Sequence, residues 1–150
     1  KLNKLKKRIQ AYSIITKSVN MATEYAKISI EEKYILNKYL PGPYTFILKK
    51  NKSDLSDLIS QNLETLGIRV PDHDFPCKLV DLIKGPLVTT SVNIHNLKPL
   101  INIEDIKAQF SKIDIFEDKN VNSNSLGSTI IDLTLPSNSV IRKGDGVSIL

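Results

Sequence analysis

Tryptophan is absent, cysteine occurs once and histidine twice, and aromatic residues make up only 6% of the chain. Each shortage excludes something. The single cysteine, Cys77, cannot build an internal disulfide framework, which suits a reducing compartment such as the cytoplasm. Together with only His73 and His95 it is too little for a zinc ligand set, so no protein-held transition metal is expected. Few aromatics and no tryptophan argue against an aromatic platform on which successive bases of a single strand would stack. No apolar run approaches the roughly 18 residues of a membrane-spanning helix. The basic opening stretch is not followed by the apolar segment of a secretory signal. Neither GxxxxGK(S/T) nor GxGxxG occurs, so the standard nucleotide motifs are missing. No order of Ser, His and Asp, or of Cys and His, suggests nucleophilic catalysis. An enzyme built from this chain must therefore work mainly by positioning and electrostatics.

What is present fits one soluble α/β domain with a real core. The chain has 150 residues, 41% hydrophobic and 25% charged. Its formal net charge is +5, much of it from Lys1, Lys4, Lys6, Lys7 and Arg8. That balance favours anionic ligands such as phosphate, nucleotide or RNA. The chain does not begin with methionine and opens in what resembles the last turns of a helix, so a fragment, or a protein whose first portion has been removed, is expected.

The stretch Lys84 to Asn93, KGPLVTTSVN, organises the rest. Pro86 forbids helix at its start, and Leu87 and Val88 fit a buried strand. The polarity then changes abruptly to Thr89, Thr90, Ser91 and Asn93. A strand ending in hydroxyls and an amide is one way an open α/β sheet presents a ligand site; an ordinary polar turn is the alternative.

Elsewhere, the pattern predicts a short strand at Ser13 to Thr16 and a helix over Val19 to Ala26. Ser29-x-x-Glu32 is a capping box opening a helix to about Leu40, with Ile30, Tyr34, Ile35 and Leu36 as its apolar face. Pro41-Gly42-Pro43 breaks the chain before a strand at Tyr44 to Lys49. Asn51 to Ser60 is a loop or short helix. Gly67 to Val70 is a strand carrying Arg69, and Pro71-Asp72-His73 turns the chain. Phe75 to Ile83 is a helix with Leu79, Leu82 and Ile83 inside. Ile103 to Phe110 is a helix capped by Asn102. Strands are expected at Asp114 to Phe116, Ser128 to Leu133, Val140 to Arg142 and Val147 to Leu150. Asp118 to Gly127 is a surface loop.

Four groups are chemically suggestive: the basic helix end at Lys6 and Arg8; Arg69; Thr89, Ser91 and Asn93; and Ser128 with Arg142. Arginine is seldom buried without a partner, and its fork suits a carboxylate or phosphate held at two points. Arg69 could equally face solvent or pair with Asp72 or Asp74.

Taken in order, KxR (Lys6, Arg8), LPGPYTFIL (Leu40 to Leu48), GIRVPDH (Gly67 to His73), PLVTTSVN (Pro86 to Asn93), STIIDLT (Ser128 to Thr134) and IRKGDG (Ile141 to Gly146) resemble the YrdC family of threonylcarbamoyl-adenylate synthases. The resemblance covers nearly the whole chain. It implies a twisted mixed α/β sheet with flanking helices and a basic concave cavity. It also implies synthesis of threonylcarbamoyl-AMP and pyrophosphate from L-threonine, bicarbonate and ATP, for modification of adenosine in tRNA. By the same resemblance, Lys6 and Arg8 would hold ATP phosphates with Mg2+, Ser91 and Asn93 would contact the nucleotide with Pro99 lining that end, and Arg142 would lie on the ATP. Arg69 would clamp the threonine carboxylate, with Thr89 and Ser128 beside the amino acid. Further partners implied are tRNA or double-stranded RNA and the proteins that consume the adenylate; no membrane is implied.

The chain also departs from the family. The strand PT(D/E)TxYGL that precedes KxR is missing, which predicts poor activity for this piece alone. Ile9 replaces a proline, T-S-A-N becomes T-S-V-N, and His95-Asn96 replaces Ser-Gly. Asn tolerates the left-handed region better than most residues, so that turn can survive. Two other readings are a non-catalytic RNA-binding module and a carbamoyl-transfer domain like that of HypF proteins.

Overall fold

Runs of β-branched and aromatic residues separated by Pro, Gly and Ser-capped helices give the chain its order of elements. A computed structural model describes residues 1–7, 9–117 and 124–147. Contacts divide the chain into two units, Lys1–Gln10 with Thr90–Ser125, and Ala11–Thr89 with Leu126–Leu150.

The second unit holds the sheet. Its strands are β1 (Ser13–Ile15), β2 (Ala26–Lys27), β3 (Tyr44–Lys50), β4 (Thr65–Arg69), β5 (Leu87–Thr89), β6 (Thr129–Asp132) and β7 (Ser139–Arg142). Among the described residues these form one mixed sheet of order β5-β1-β4-β3-β6-β7, with β2 on β3. The expected mixed α/β class holds. Its helices are α2 (Val19–Ala22), α3 (Ile30–Tyr39), α4 (Asp57–Ser60) and α5 (Asp74–Ile83); the first unit has α1 (Leu2–Lys6) and α6 (Ile103–Gln109). The Ser29–Glu32 capping box forms in both directions, and Asn102 caps α6 through Asp105 N at 2.8 Å.

Strand alternation gives the sheet two different faces. Ile14, Phe46, Leu48, Leu66, Ile68 and Ile131 are at most 2% exposed and form the core with Leu36 of α3. The register settles what lies on the opposite face. Ser13 pairs with both Gly67 and Thr89, and Ile15 pairs with Arg69. Thr45 pairs with Ile130, and Ile130 with Arg142. Cross-strand partners share a face, as do residues two apart along a strand. Arg69, Thr89, Ser128 and Arg142 therefore stand on one face, opposite the apolar core.

Several expectations are corrected. The helix at Val19 ends at Ala22, because Ala26 is drawn into β2 against Lys50. Ile30 and Tyr34 are 85% and 71% exposed, so α3 turns Leu36 rather than these residues into the core. In α5 it is Val80 that is buried, whereas Leu82 is 79% exposed. Leu87 to Thr89 is an edge strand, half-buried rather than buried, since it pairs only with β1 among the described residues. No strand forms at 114–116. Most of the loop expected from Asp118, and the end of the strand expected from Val147, lie outside the described residues.

Candidate functional site

Two clusters carry the residues singled out by sequence, one in each unit. In the first unit α1 delivers Lys6, which is only 3% exposed despite its charge. Its ammonium donates to the Ser91 carbonyl, to Asn93 Oδ1 at 2.6 Å and more loosely to Ser91 Oγ at 3.5 Å. Ser91 Oγ also lies 2.6 Å from Asn93 Oδ1. Asn93 Nδ2 donates to the Leu97 carbonyl at 2.7 Å. The backbone closes the same loop: His95 N–H donates to the Lys6 carbonyl at 3.0 Å and Leu100 N–H to Val92 at 2.8 Å. A buried ammonium needs acceptors, and this loop supplies three without a carboxylate. Asn96 takes φ 65°, the left-handed conformation that its side chain tolerates. Pro99 is exposed on the same segment. Arg8 lies outside the described residues.

In the second unit, Arg69 ends β4. Its Nε is buried and has no hydrogen-bond partner among the described residues. The suggested partners are otherwise engaged or absent: Asp74 pairs with Lys78 at 3.3 Å, and no ion pair among the described residues joins Arg69 to Asp72. Burial, and after it the charge of Arg142, lower the Arg69 pKa. A desolvated guanidinium beside a like charge, with no acceptor at Nε among the described residues, is chemically suited to an anion.

Ser128 precedes β6 and is 6% exposed. Its hydroxyl lies 2.7 Å from that of Thr45. Arg142 donates to the Ser128 carbonyl through Nη2 at 2.6 Å and Nε at 3.2 Å, and to Ser128 Oγ at 3.2 Å. A register shift between Ile130 and Ile131 pairs Ile130 with Arg142 while Ile131 pairs with Val140. Without that bulge Arg142 would follow Val140 toward the core; the extra residue turns it to the other face. Thr89 sits across β1, and Gly67 between it and Arg69 carries no side chain. A Cβ at Gly67 would meet Ser13 Oγ at 2.7 Å, so the bare position keeps this part of the face open.

Sequence reasoning missed Thr45, Ser13 and Gly67. The signal was there: Thr45 is a hydroxyl inside the apolar strand YTFIL, and it is only 3% exposed. Gly144 is a further unrecognised contributor. Its N–H donates to Thr129 Oγ1 at 3.0 Å, and an added Cβ would lie 2.5 Å from the Ser128 carbonyl carbon. Gly144→Ala is expected to cost about 1–3 kcal/mol through overpacking. It should also shift Ser128 and Arg142, checked by urea unfolding together with the NMR resonances of those two residues. Unchanged stability would show that this turn yields freely.

The remaining candidates have local roles. His73 caps α5, its ring nitrogen accepting from Phe75 N–H at 3.2 Å. Cys77 is half-buried; burial first, then Asp74, Asp81 and Asp72, push its thiol up, which favours the protonated form. Among the described residues no group of three or more His, Cys, Asp or Glu could hold a metal ion, and no helix is long and apolar enough to cross a membrane.

Comparison with known proteins gives a consistent picture. The family model for Sua5, YciO and YrdC proteins, described as telomere recombination, matches residues 1–144. A human protein named threonylcarbamoyl-AMP synthase is 28% identical over 127 residues, covering 80% of this chain and 45% of that protein. The structure of P. abyssi Sua5 complexed with L-threonine superposes with a TM-score of 0.83 at 26% identity, over 95% of this chain and 43% of that one. T. kodakarensis HypF shares the fold, with a TM-score of 0.80 at 19% identity, over 95% of this chain and 19% of that one. The chain thus spans about half the length of the curated relatives it matches.

Proposed function

Because the chain belongs to the Sua5, YciO and YrdC family, we propose that it carries threonine- and ATP-handling residues of a threonylcarbamoyl-AMP synthase. The reaction joins the L-threonine amine to bicarbonate as a carbamate with loss of water, and a carbamate oxygen then attacks the α-phosphorus of ATP while pyrophosphate leaves. The observation that carries this reading is Arg69, a desolvated guanidinium whose Nε has no partner among the described residues, on the same sheet face as Thr89, Ser128 and Arg142. It would take the threonine carboxylate in two-point contact, leaving the amine to receive the carboxyl carbon. Ser128, held by Thr45 and Arg142, and Thr89 would border the amino acid. Arg142 would also meet the growing negative charge on ATP.

Lys6, Ser91 and Asn93 would serve the nucleotide differently from a simple phosphate clamp. Lys6 spends its ammonium on the loop, so it sets the shape in which Ser91 and Asn93 meet ATP. Arg8 would contact phosphate, and Pro99 would line the nucleotide end. Magnesium would enter on the phosphates, as is usual when no all-protein cage is built. The product would pass to tRNA-modifying partners in the cytoplasm, with tRNA as a further partner.

The test is pyrophosphate release from ATP, with and without L-threonine and bicarbonate, using the chain and an N-terminally extended polypeptide. Release that requires both threonine and bicarbonate is expected, greater with the extension. Threonine-independent release, or none from either protein, would defeat the proposal.

A further inference from the structure

Away from these clusters, α3 and the chain following β6 enclose a hollow of about 160 Å³, lined by Tyr34, Lys38, Tyr39, Ile131, Leu133 and Asn138. Its floor is apolar and fixed: Ile131 is fully buried and Leu133 is 7% exposed. Ile131 belongs to the core face of the sheet, opposite Arg69 and Ser128, so this hollow is separate from the residues assigned to threonine. Its rim is polar. Tyr34 and Lys38 stand one helical turn apart and are neighbours on the helix surface. The Tyr39 ring is held against Tyr44, centroids 5.4 Å apart at 59°, and the Lys38 ammonium lies 5.2 Å from its centroid. Among the described residues, no hydrogen bond occupies the Tyr34 or Tyr39 hydroxyl or the Asn138 amide.

These features define a ligand. Aromatic rings over an aliphatic floor accept a flat ring. A primary amide beside two phenols offers donors and acceptors to that ring's edge, the pairing Asn makes with adenine. An ammonium at the rim suits a phosphate. The volume is below the roughly 300–1,000 Å³ that encloses a drug-sized ligand, so the hollow admits one ring and leaves a sugar and phosphate outside. We propose that it binds a single unpaired nucleobase, presented by a single-stranded stretch of RNA. The Lys38 ammonium at the rim favours a base carried on a phosphate backbone over a free nucleoside. The shortage of aromatics still excludes a platform for successive bases; one pocket with two tyrosines takes one base. This inference does not depend on the proposed enzymatic activity.

The test measures binding of a short fluorescent adenosine-rich RNA by anisotropy at fixed moderate salt, with excess ATP present to fill any nucleotide site. Tyr34→Ala and Asn138→Ala are the variants, both at exposed positions, with thermal melting as the folding control. Each is expected to weaken single-strand binding roughly five- to a hundredfold, the range for loss of one base–aromatic stack at Tyr34 and of one two-point amide–base pairing at Asn138. Duplex binding and pyrophosphate release should stay unchanged. Equal loss on single strand and duplex, or no loss at all, overturns the proposal. So does adenosine shifting the Asn138 side-chain amide resonance in NMR while the RNA leaves it unmoved, which would assign the pocket to a free nucleoside.

Discussion

Replacing Arg69 by methionine is expected to weaken threonine binding on the order of a hundredfold or more without lowering the melting temperature. The two effects have one cause. Arg69 bears a buried Nε with no partner among the described residues, and its guanidinium is disfavoured by burial and by Arg142. In the free protein this charge costs stability, because among the described residues no acceptor reaches its buried Nε to offset the desolvation. Methionine keeps the length and flexibility of the stem and suits an interior strand position opposite Ile15. Each kcal/mol recovered should raise the melting temperature by about 2–4 °C. A carboxylate held at two points loses two charge-assisted hydrogen bonds of about 1.5–3 kcal/mol each. Affinity should then fall on the order of a hundredfold or more. A structural role for Arg69 would give the reverse, a lower melting temperature with little change in threonine affinity. Calorimetric titration beside a thermal melt separates them.

Lys6→Met should act in the opposite sense, destabilising first and disabling as a consequence. The buried ammonium satisfies the Ser91 carbonyl and Asn93 Oδ1. Methionine leaves the Ser91 carbonyl without this donor and Asn93 Oδ1 with the Ser91 hydroxyl alone, at about 1–3 kcal/mol for an unsatisfied group. The loop from Ser91 to Leu100 should then open locally. Amide exchange at His95 and Leu100, whose N–H groups are bonded to Lys6 and Val92, should quicken by roughly thirtyfold or more. ATP affinity should fall with it. Arginine should not rescue, because its planar fork does not fit a site that offers acceptors to a compact ammonium. Exchange rates unchanged from wild type would mean that Lys6 does not hold this loop.

Local chemistry made much of the fold legible. The Ser29-x-x-Glu32 spacing, the break at Pro41-Gly42-Pro43 and the cap at Asn102 each act within a few residues, and each appears where the sequence puts it. The alternating strands GIRV and YTFIL likewise announce two-sidedness. What the sequence could not disclose depends on partners far along the chain. Lys6 reads as one more lysine on a basic helix end until residues 85 and 87 positions away close over it. The aim of Arg142 depends on a bulge whose extra residue leaves no mark in SVIR. Ile30 and Tyr34 have helical spacing, yet the core takes Leu36, because packing rather than periodicity decides which flank of a helix turns inward. Leu87 and Val88 look like a buried strand, and only the strand order makes them an edge. The candidate residues were therefore legible as types. Their grouping on one face of the sheet follows from register, which pairs Ile15 with Arg69 and Ile130 with Arg142.

The most direct measurement is a pair of calorimetric titrations of the N-terminally extended protein, one with L-threonine and one with L-threoninol, in which an alcohol replaces the carboxylate. If the guanidinium of Arg69 takes that carboxylate, threonine should bind and threoninol should bind at least a hundredfold more weakly, and Arg69→Met should erase the difference. Equal affinity for the two ligands, or full discrimination retained by Arg69→Met, would contradict the account.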